Sequence, residues 1–330
     1  MCGLGSIGRR HLRIFRELGV ERIDVFRSGK ATLADGDDRP PDRAFRNLDE
    51  ALGEHPQAVV VSNPTSLHVE CALKALHAGC HVLVEKPIAH SVGAARELAA
   101  AARDSGRVVA VAHNLRHHPS LQAVRRAIAL GVLGLPLVAR FHFGTFLPKW
   151  HPWEDYRISY AAKRDLGGGA ARTHVHEIDA ALWLFGSATR AIGMPLSLHP
   201  LGTDVDEASA FILSHDSGCL SSITLSLAQD PPARTLEVSF ERGTITLDLL
   251  TTTRVTRFAS GEAATEGSGQ PMIWDDTYRA QARAFLSAVD EGRPGADLVG
   301  VREACMALEI STLIDAPNDP NAFSIWKHHV

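Results

Sequence analysis

Apolar and polar positions in the first third of the chain follow two alternating rhythms. Over residues 9–18 the apolar side chains Leu12, Phe15 and Leu18 fall on one face at helical spacing. Residues 22–27 then read as a short strand. Ala58 to Val61 is a continuous apolar run of the buried-strand type. Asn47 with Glu50 resembles a helix N-cap pair opening a helix over 48–54. Thr65 is placed to cap a helix that ends at Gly79. Residues 81–84 predict a strand, 91–105 a helix and 107–112 another strand. This rhythm predicts a parallel, doubly wound α/β sheet.

Past about His118 the pattern changes. A helix over 121–129 leads into a long strand over 137–146, and a helix is predicted over 176–185. Strands at 208–214 and 219–227 flank the turn composition His215-Asp216-Ser217-Gly218. A second hairpin joins 236–240 to 244–249. Residues 261–269 read as an exposed loop, and 278–291 and 301–314 as helices. The expectation is an α/β domain over 1–118, followed by a second domain over 119–330 whose strands look antiparallel.

Length agrees with two domains, since 330 residues exceed one ordinary core. Net charge is −4 with no basic tract, so nucleic acid is not an expected partner. No run of 18 apolar residues suggests a membrane span, and no signal peptide is visible. Five scattered cysteines read as reduced thiols in a cytoplasm.

The candidate chemistry begins at Gly3-Leu4-Gly5-Ser6-Ile7-Gly8, a G-x-G-x-x-G that opens a helix. The first glycine allows a tight turn, the second lets a pyrophosphate approach the backbone, and the third lets helix and strand pack closely. The strand expected before this loop is missing, because the chain starts at Met1-Cys2. At the end of the next strand stand Arg27 and Ser28 rather than an acidic residue. Arg27 either meets a 2′-phosphate, which leans toward NADP, or is a solvated surface side chain. Lys86 ends a strand within Glu85-Lys86-Pro87. It is either a partly desolvated acid/base at the ligand crevice or a surface lysine.

Gly3 to Gly8, Ser62-Asn63-Pro64-Thr65 with His68, Glu85-Lys86-Pro87, and Gly167-Gly168-Gly169 followed by His176-Glu177-Ile178-Asp179 occur in that order. As a set they resemble the Gfo/Idh/MocA oxidoreductases of the glucose–fructose oxidoreductase and inositol dehydrogenase type. The resemblance implies NAD or NADP as cofactor and a sugar, nucleotide sugar or cyclitol as substrate. Hydride would pass between nicotinamide and a secondary alcohol or ketone. It implies that Lys86 lines the nicotinamide pocket and His176 contacts the reacting hydroxyl, with Asn63, Pro64, His68 and Glu85 bordering the cofactor. It also implies that 1–118 is an NAD(P)-binding Rossmann domain and that 119–330 is an α+β substrate-binding and oligomerisation domain with an open, mostly antiparallel sheet, in a homo-oligomer, dimer or tetramer. Many members carry an Asp three or four residues before the His, where this chain has Thr173 and Arg172. Lys86 and His176 would then carry the proton traffic, and Asp179 would orient the imidazole or face the cofactor domain.

Residues 149–157, with Trp150, His151, Trp153 and Arg157, concentrate aromatic and charged side chains. They either stack on and bond a sugar or pack at a junction. Tyr160, Lys163 and Arg116 are further candidates for substrate contact. No metal is expected, because the spacing of His174, His176 and Asp179 matches no metal motif. Two other readings stand beside the dehydrogenase: an NAD-dependent glycosidase, and a non-catalytic dinucleotide-binding sensor.

Overall fold

The computed structural model describes residues 1–27, 40–150, 155–196, 198–295 and 297–315, and the backbone of 324–327. In chain order the first elements are α1 (Ser6–Glu17), β1 (Val25–Phe26), β2 (Ala44–Phe45), α2 (Leu48–Leu52) and β3 (Ala58–Val61). They are followed by α3 (His68–His77), β4 (His81–Glu85), α4 (Val92–Ser105) and β5 (Val109–Ala112). Next come α5 (Pro119–Ala129), β6 (Pro136–Phe146), α6 (Leu147–Trp150), α7 (Ala170–Thr173) and α8 (His176–Phe185). Seven strands succeed them: β7 (Ala188–Pro195), β8 (Ala208–His215), β9 (Leu220–Ser226), β10 (Ala228–Phe240), β11 (Gly243–Asp248), β12 (Arg254–Phe258) and β13 (Ala263–Glu266). The chain closes with α9 (Trp274–Glu291), β14 (Val299–Gly300), α10 (Val301–Ser311) and β15 (Ser324–Lys327).

Residue contacts divide the chain into Met1–Asn114 with Trp274–Met306, and Leu115–Ile273 with Ala307–Val330. The division after residue 118 therefore needs correction, because residues 274–306 return to the first unit. Ala282, Phe285, Ala288 and Val289 of α9 are buried in one core with Leu12 and Phe15 of α1, Val60 and Leu83. β14 adds an antiparallel edge to β5. An amphipathic helix must bury its apolar stripe against some element, and nothing local in 274–306 names that element.

In the first unit β3, β4 and β5 pair in parallel. Every residue of β4 and β5 is buried, as a sheet covered on both faces requires. The place of the strand expected before the glycine loop is held by residues 1 and 2. Cys2 bridges in parallel to both Val61 and Phe26. Its N–H donates to the Val60 carbonyl at 2.8 Å, and the Phe26 N–H donates to the Met1 carbonyl at 2.8 Å. One bridging residue thus joins the pair β1–β2 to the sheet β3-β4-β5-β14. Asn47 caps α2 as expected, accepting from the Asp49 N–H at 2.8 Å. Thr65 does not cap: it sits in a 3₁₀ turn, and α3 starts at His68.

The second unit is built on a nine-stranded sheet ordered β13-β12-β11-β10-β6-β9-β8-β7-β15. Its pairs are antiparallel except β6 with β9. One face packs under α7 and α8, and α8 is buried from Glu177 to Phe185. The stretch 261–269 contains β13, an edge strand with all four residues exposed. With alanines as its only apolar residues and no alternation, it carries no sequence signal of a strand. Among the described residues no helix is long and apolar enough to cross a membrane.

Candidate active site

The loop between Cys2 and α1 is built by contact. Gly3 has a φ of 96°, and a Cβ there would stand 2.8 Å from the Asn63 nitrogen. A Cβ on Gly8 would stand 2.5 Å from the Gly3 carbonyl oxygen, so the first turn of α1 rests on the strand end. Gly5 differs. Its φ is −72°, and among the described residues no atom beyond its chain neighbours lies within 4 Å of where a Cβ would be. No described residue demands glycine there. α1 opens with no side-chain cap and no acidic residue in its first turn, Ser6 is exposed and Ile7 half-buried. The first N–H groups of a helix lack internal partners and sit at the positive end of its dipole. A pyrophosphate, which needs close backbone approach, fits this end.

The two strand exits beside the loop are pinned by buried imidazoles. His68 Nδ1 lies 2.9 Å from the Pro87 carbonyl and Nε2 lies 2.9 Å from the Asn63 carbonyl. One side chain thus ties the corner after β3 to the corner after β4. Burial pulls the His68 imidazole below its usual range, against two carbonyls that favour a proton. On β4, Glu85 is buried, and burial alone would raise its carboxyl. The hydrogen bond with His11 and the charge of Lys86 outweigh that and hold it low. Lys86, half-buried, follows at the strand exit. Asn63 is half-buried and Pro64 exposed. Arg27 is half-buried and donates its backbone N–H to Phe45; Ser28 lies outside the described residues.

In the second unit the glycine triplet makes room for neighbours. A Cβ on Gly168 would meet the Tyr160 carbonyl at 2.4 Å, and one on Gly169, where φ is 104°, would overlap the Asp206 carboxylate. Asp206 accepts from the Ala171 N–H at 2.8 Å. Burial raises its carboxyl to about 7. α7 then leads to α8, whose first residue is His176, half-buried. Two buried ion pairs flank that histidine. Asp179 accepts a two-point bond from Arg116, Nε at 2.9 Å and Nη2 at 2.7 Å. Glu177 accepts from Arg234 Nε at 2.6 Å. The Arg234 guanidinium also stacks 4.2 Å from the Phe143 ring centre.

The remaining candidates are placed as follows. Arg116 and Asp179 pair with each other inside the second unit. Arg172 pairs with Asp315, and Thr173 is buried. Trp150 packs beside buried His174, with ring centres 6.1 Å apart. Arg157 is exposed and holds Asp155, with Nη2 to Oδ2 at 2.8 Å. Tyr160 and Lys163 are exposed. His151 and Trp153 lie outside the described residues. Among the described residues no cluster of His, Cys, Asp and Glu has the geometry to hold a metal.

Sequence reasoning missed His11, Asp206 and Arg234. His11 alone had a legible signal, since it stands one helical turn after Gly8 on the face that meets the sheet. Asp206 and Arg234 come from strands far along the chain, so no spacing announces them.

The model of the oxidoreductase family with an NAD-binding Rossmann fold matches residues 1–113. The Gfo/Idh/MocA C-terminal domain model matches residues 121–246. The 1,5-anhydro-D-fructose reductase of Ensifer adhaerens is 40% identical over 178 residues, covering 53% of this chain and 46% of that protein. The UDP-N-acetylglucosamine 3-dehydrogenase of Acidithiobacillus ferrooxidans is 24% identical over 326 residues, covering 96% of each. A levoglucosan dehydrogenase solved with NADH and levoglucosan superposes with a TM-score of 0.82 at 18% identity, over 99% of this chain and 97% of that one. With both domain models matched in order over most of its length, this chain belongs to the Gfo/Idh/MocA family of oxidoreductases.

Proposed function

We propose that the chain is an NAD-dependent dehydrogenase or reductase acting on a secondary alcohol or ketone of a sugar, nucleotide sugar or cyclitol. The observation that carries the cofactor half is the glycine loop, with open space at Gly5 before an uncapped helix end. Gly3, Gly5, Ser6, Ile7 and Gly8 would hold the pyrophosphate, and Asn63, Pro64 and Lys86 would border the nicotinamide half. The substrate class is supported by the relatives, which are named for a sugar-derived ketone and a nucleotide sugar. NAD is preferred to the NADP that Arg27 suggested, because the solved levoglucosan dehydrogenase carries NADH.

When bound, nicotinamide supplies the hydride chemistry. The chain supplies position and proton transfer. We assign His176 to the reacting hydroxyl, as the group that takes or returns its proton. Its helix is held on both sides by buried ion pairs, so the ring starts from a fixed backbone. Lys86 is assigned to the nicotinamide end, its backbone set by Glu85 and by the Pro87 carbonyl that His68 grips. Thr173 cannot act as a base, which leaves the proton with these two residues.

The open face of the nine-stranded sheet carries Met194, Ile212 and Leu220, at 52%, 50% and 43% exposure. Such a strip supports a homo-oligomer formed through that face. The test of function is a titration with NADH and NADPH, followed by turnover on a panel of sugars, anhydrosugars and nucleotide sugars. Sugar release without net change in cofactor absorbance would select the glycosidase reading, and binding without turnover the sensor. On any substrate found, Lys86→Ala and His176→Ala are each expected to cost ~10²–10⁴-fold in kcat. Full turnover by either variant would remove that residue from the mechanism.

A further inference from the structure

His11 is fully buried on α1, yet it is polar and lies one turn beyond the glycine loop. Its Nε2 lies 2.7 Å from Glu85 Oε1. Glu85 is held in its ionised form, so it accepts and His11 donates. The other carboxylate oxygen accepts the backbone N–H of Lys86 at 3.1 Å. A chain of two hydrogen bonds therefore runs from the helix that opens at the glycine loop to the backbone of the strand-end lysine. The Nδ1 atom of His11 makes no hydrogen bond among the described residues. The ring is packed instead against Phe15 and Tyr278, with ring centres 6.1 and 6.0 Å away. An apolar residue would avoid burying the unbonded Nδ1 but would leave Glu85 Oε1 without its donor, so the bond to Glu85 is the histidine's specific contribution.

We propose that His11 is a positioning residue for the hydride-transfer site: it fixes the Glu85 carboxylate, which in turn fixes the backbone from which Lys86 extends. Glu85, read from the sequence as a cofactor contact, then acts through Lys86 instead. Without the His11 donor the carboxylate is buried beside a single amide and is free to rotate away from it. This rests on the assignment of Lys86 to the nicotinamide end, and the experiment separates the two.

Lysine-selective nitrogen-15 labelling gives at most six backbone amide signals, and Lys86→Arg identifies that of Lys86. His11→Leu removes the donor, while His11→Gln keeps an N–H near the same place. The Lys86 signal is expected to move in H11L more than any other lysine's and to return toward its wild-type position in H11Q. NADH dissociation constants are expected to follow, about tenfold weaker in H11L and near wild type in H11Q. An unmoved Lys86 signal in H11L, or equal movement in both variants, would overturn the proposal even where the melting temperature falls. Should H11L not fold, hydrogen exchange on the wild-type protein decides. A Lys86 amide bonded to Glu85 exchanges slowly, and exchange at the rate of an open amide would overturn the proposal. Failure of wild-type protein to bind NADH would sink the cofactor reading, while the Lys86 signal would still test His11 independently.

Discussion

Two glycines in the same loop carry different constraints, and substitution should tell them apart. A Cβ on Gly8 meets backbone at 2.5 Å, so Gly8→Ala is expected to lower both stability and cofactor binding. Among the described residues a Cβ on Gly5 meets no atom beyond its neighbours, so Gly5→Ala is expected to melt like wild type while binding NADH at least about tenfold more weakly. Equal binding by Gly5→Ala and wild type would mean that no pyrophosphate approaches that backbone. Asp206 offers a second test. Its carboxyl is raised from 3.8 to about 7 by burial. A raised folded-state value gives stability at low pH that is lost as pH climbs from 3.8 through about 7. Asp206→Asn should therefore be more stable than wild type above pH 7, by as much as a few kcal/mol at roughly 1.4 kcal/mol per unit. The gap should close toward pH 4. Thermal melts of both proteins across that range check this, and a gap independent of pH would reject it.

At the scale of elements, α8 is set by its ion pairs. Arg116 and Asp179 are each about 1% exposed in their side chains. Arg116→Met strands a buried carboxylate and is expected to cost ~3–5 kcal/mol. Adding Asp179→Leu removes that charge and should recover most of the loss. Single and double variants melting alike would show that the pair does not anchor the helix. The sequence announces the helix itself, and His176 at its start, but not these anchors. Arg116 precedes Asp179 by 63 residues, and Arg234 follows Glu177 by 57. Helix spacing reaches only three or four residues. That is why Asp179 reads naturally as a partner of His176, while its bond to Arg116 goes unannounced.

At the scale of the molecule, the first unit is discontinuous. Asn114 donates to Thr277 Oγ1 at 2.7 Å, joining the end of its first segment to the start of its second. Residues 1–118 expressed alone would lack Ala282, Phe285 and Val289 of their core, each worth up to about 1.5–3 kcal/mol of burial for the larger side chains. That fragment is expected to melt without cooperativity, whereas residues 1–114 joined to 274–306 through a short flexible linker should fold. Circular dichroism melts of the two fragments distinguish these outcomes. A cooperative 1–118 would return the boundary to where sequence periodicity placed it.

What the sequence determined by itself is what local spacing encodes: the alternating strands and helices, the glycine loop, the strand-end Lys86 and the helix-start His176. Each depends on residues a few positions apart, whose geometry follows from backbone periodicity. Only the tertiary structure decided which distant partners complete them. It seated Cys2 in the central strand position, brought α9 back to the first core, set Asp206 against Gly169, and paired the acids of α8 with Arg116 and Arg234. Those choices depend on which buried charges and apolar faces remain to be satisfied once the chain has folded, a condition that no local pattern records.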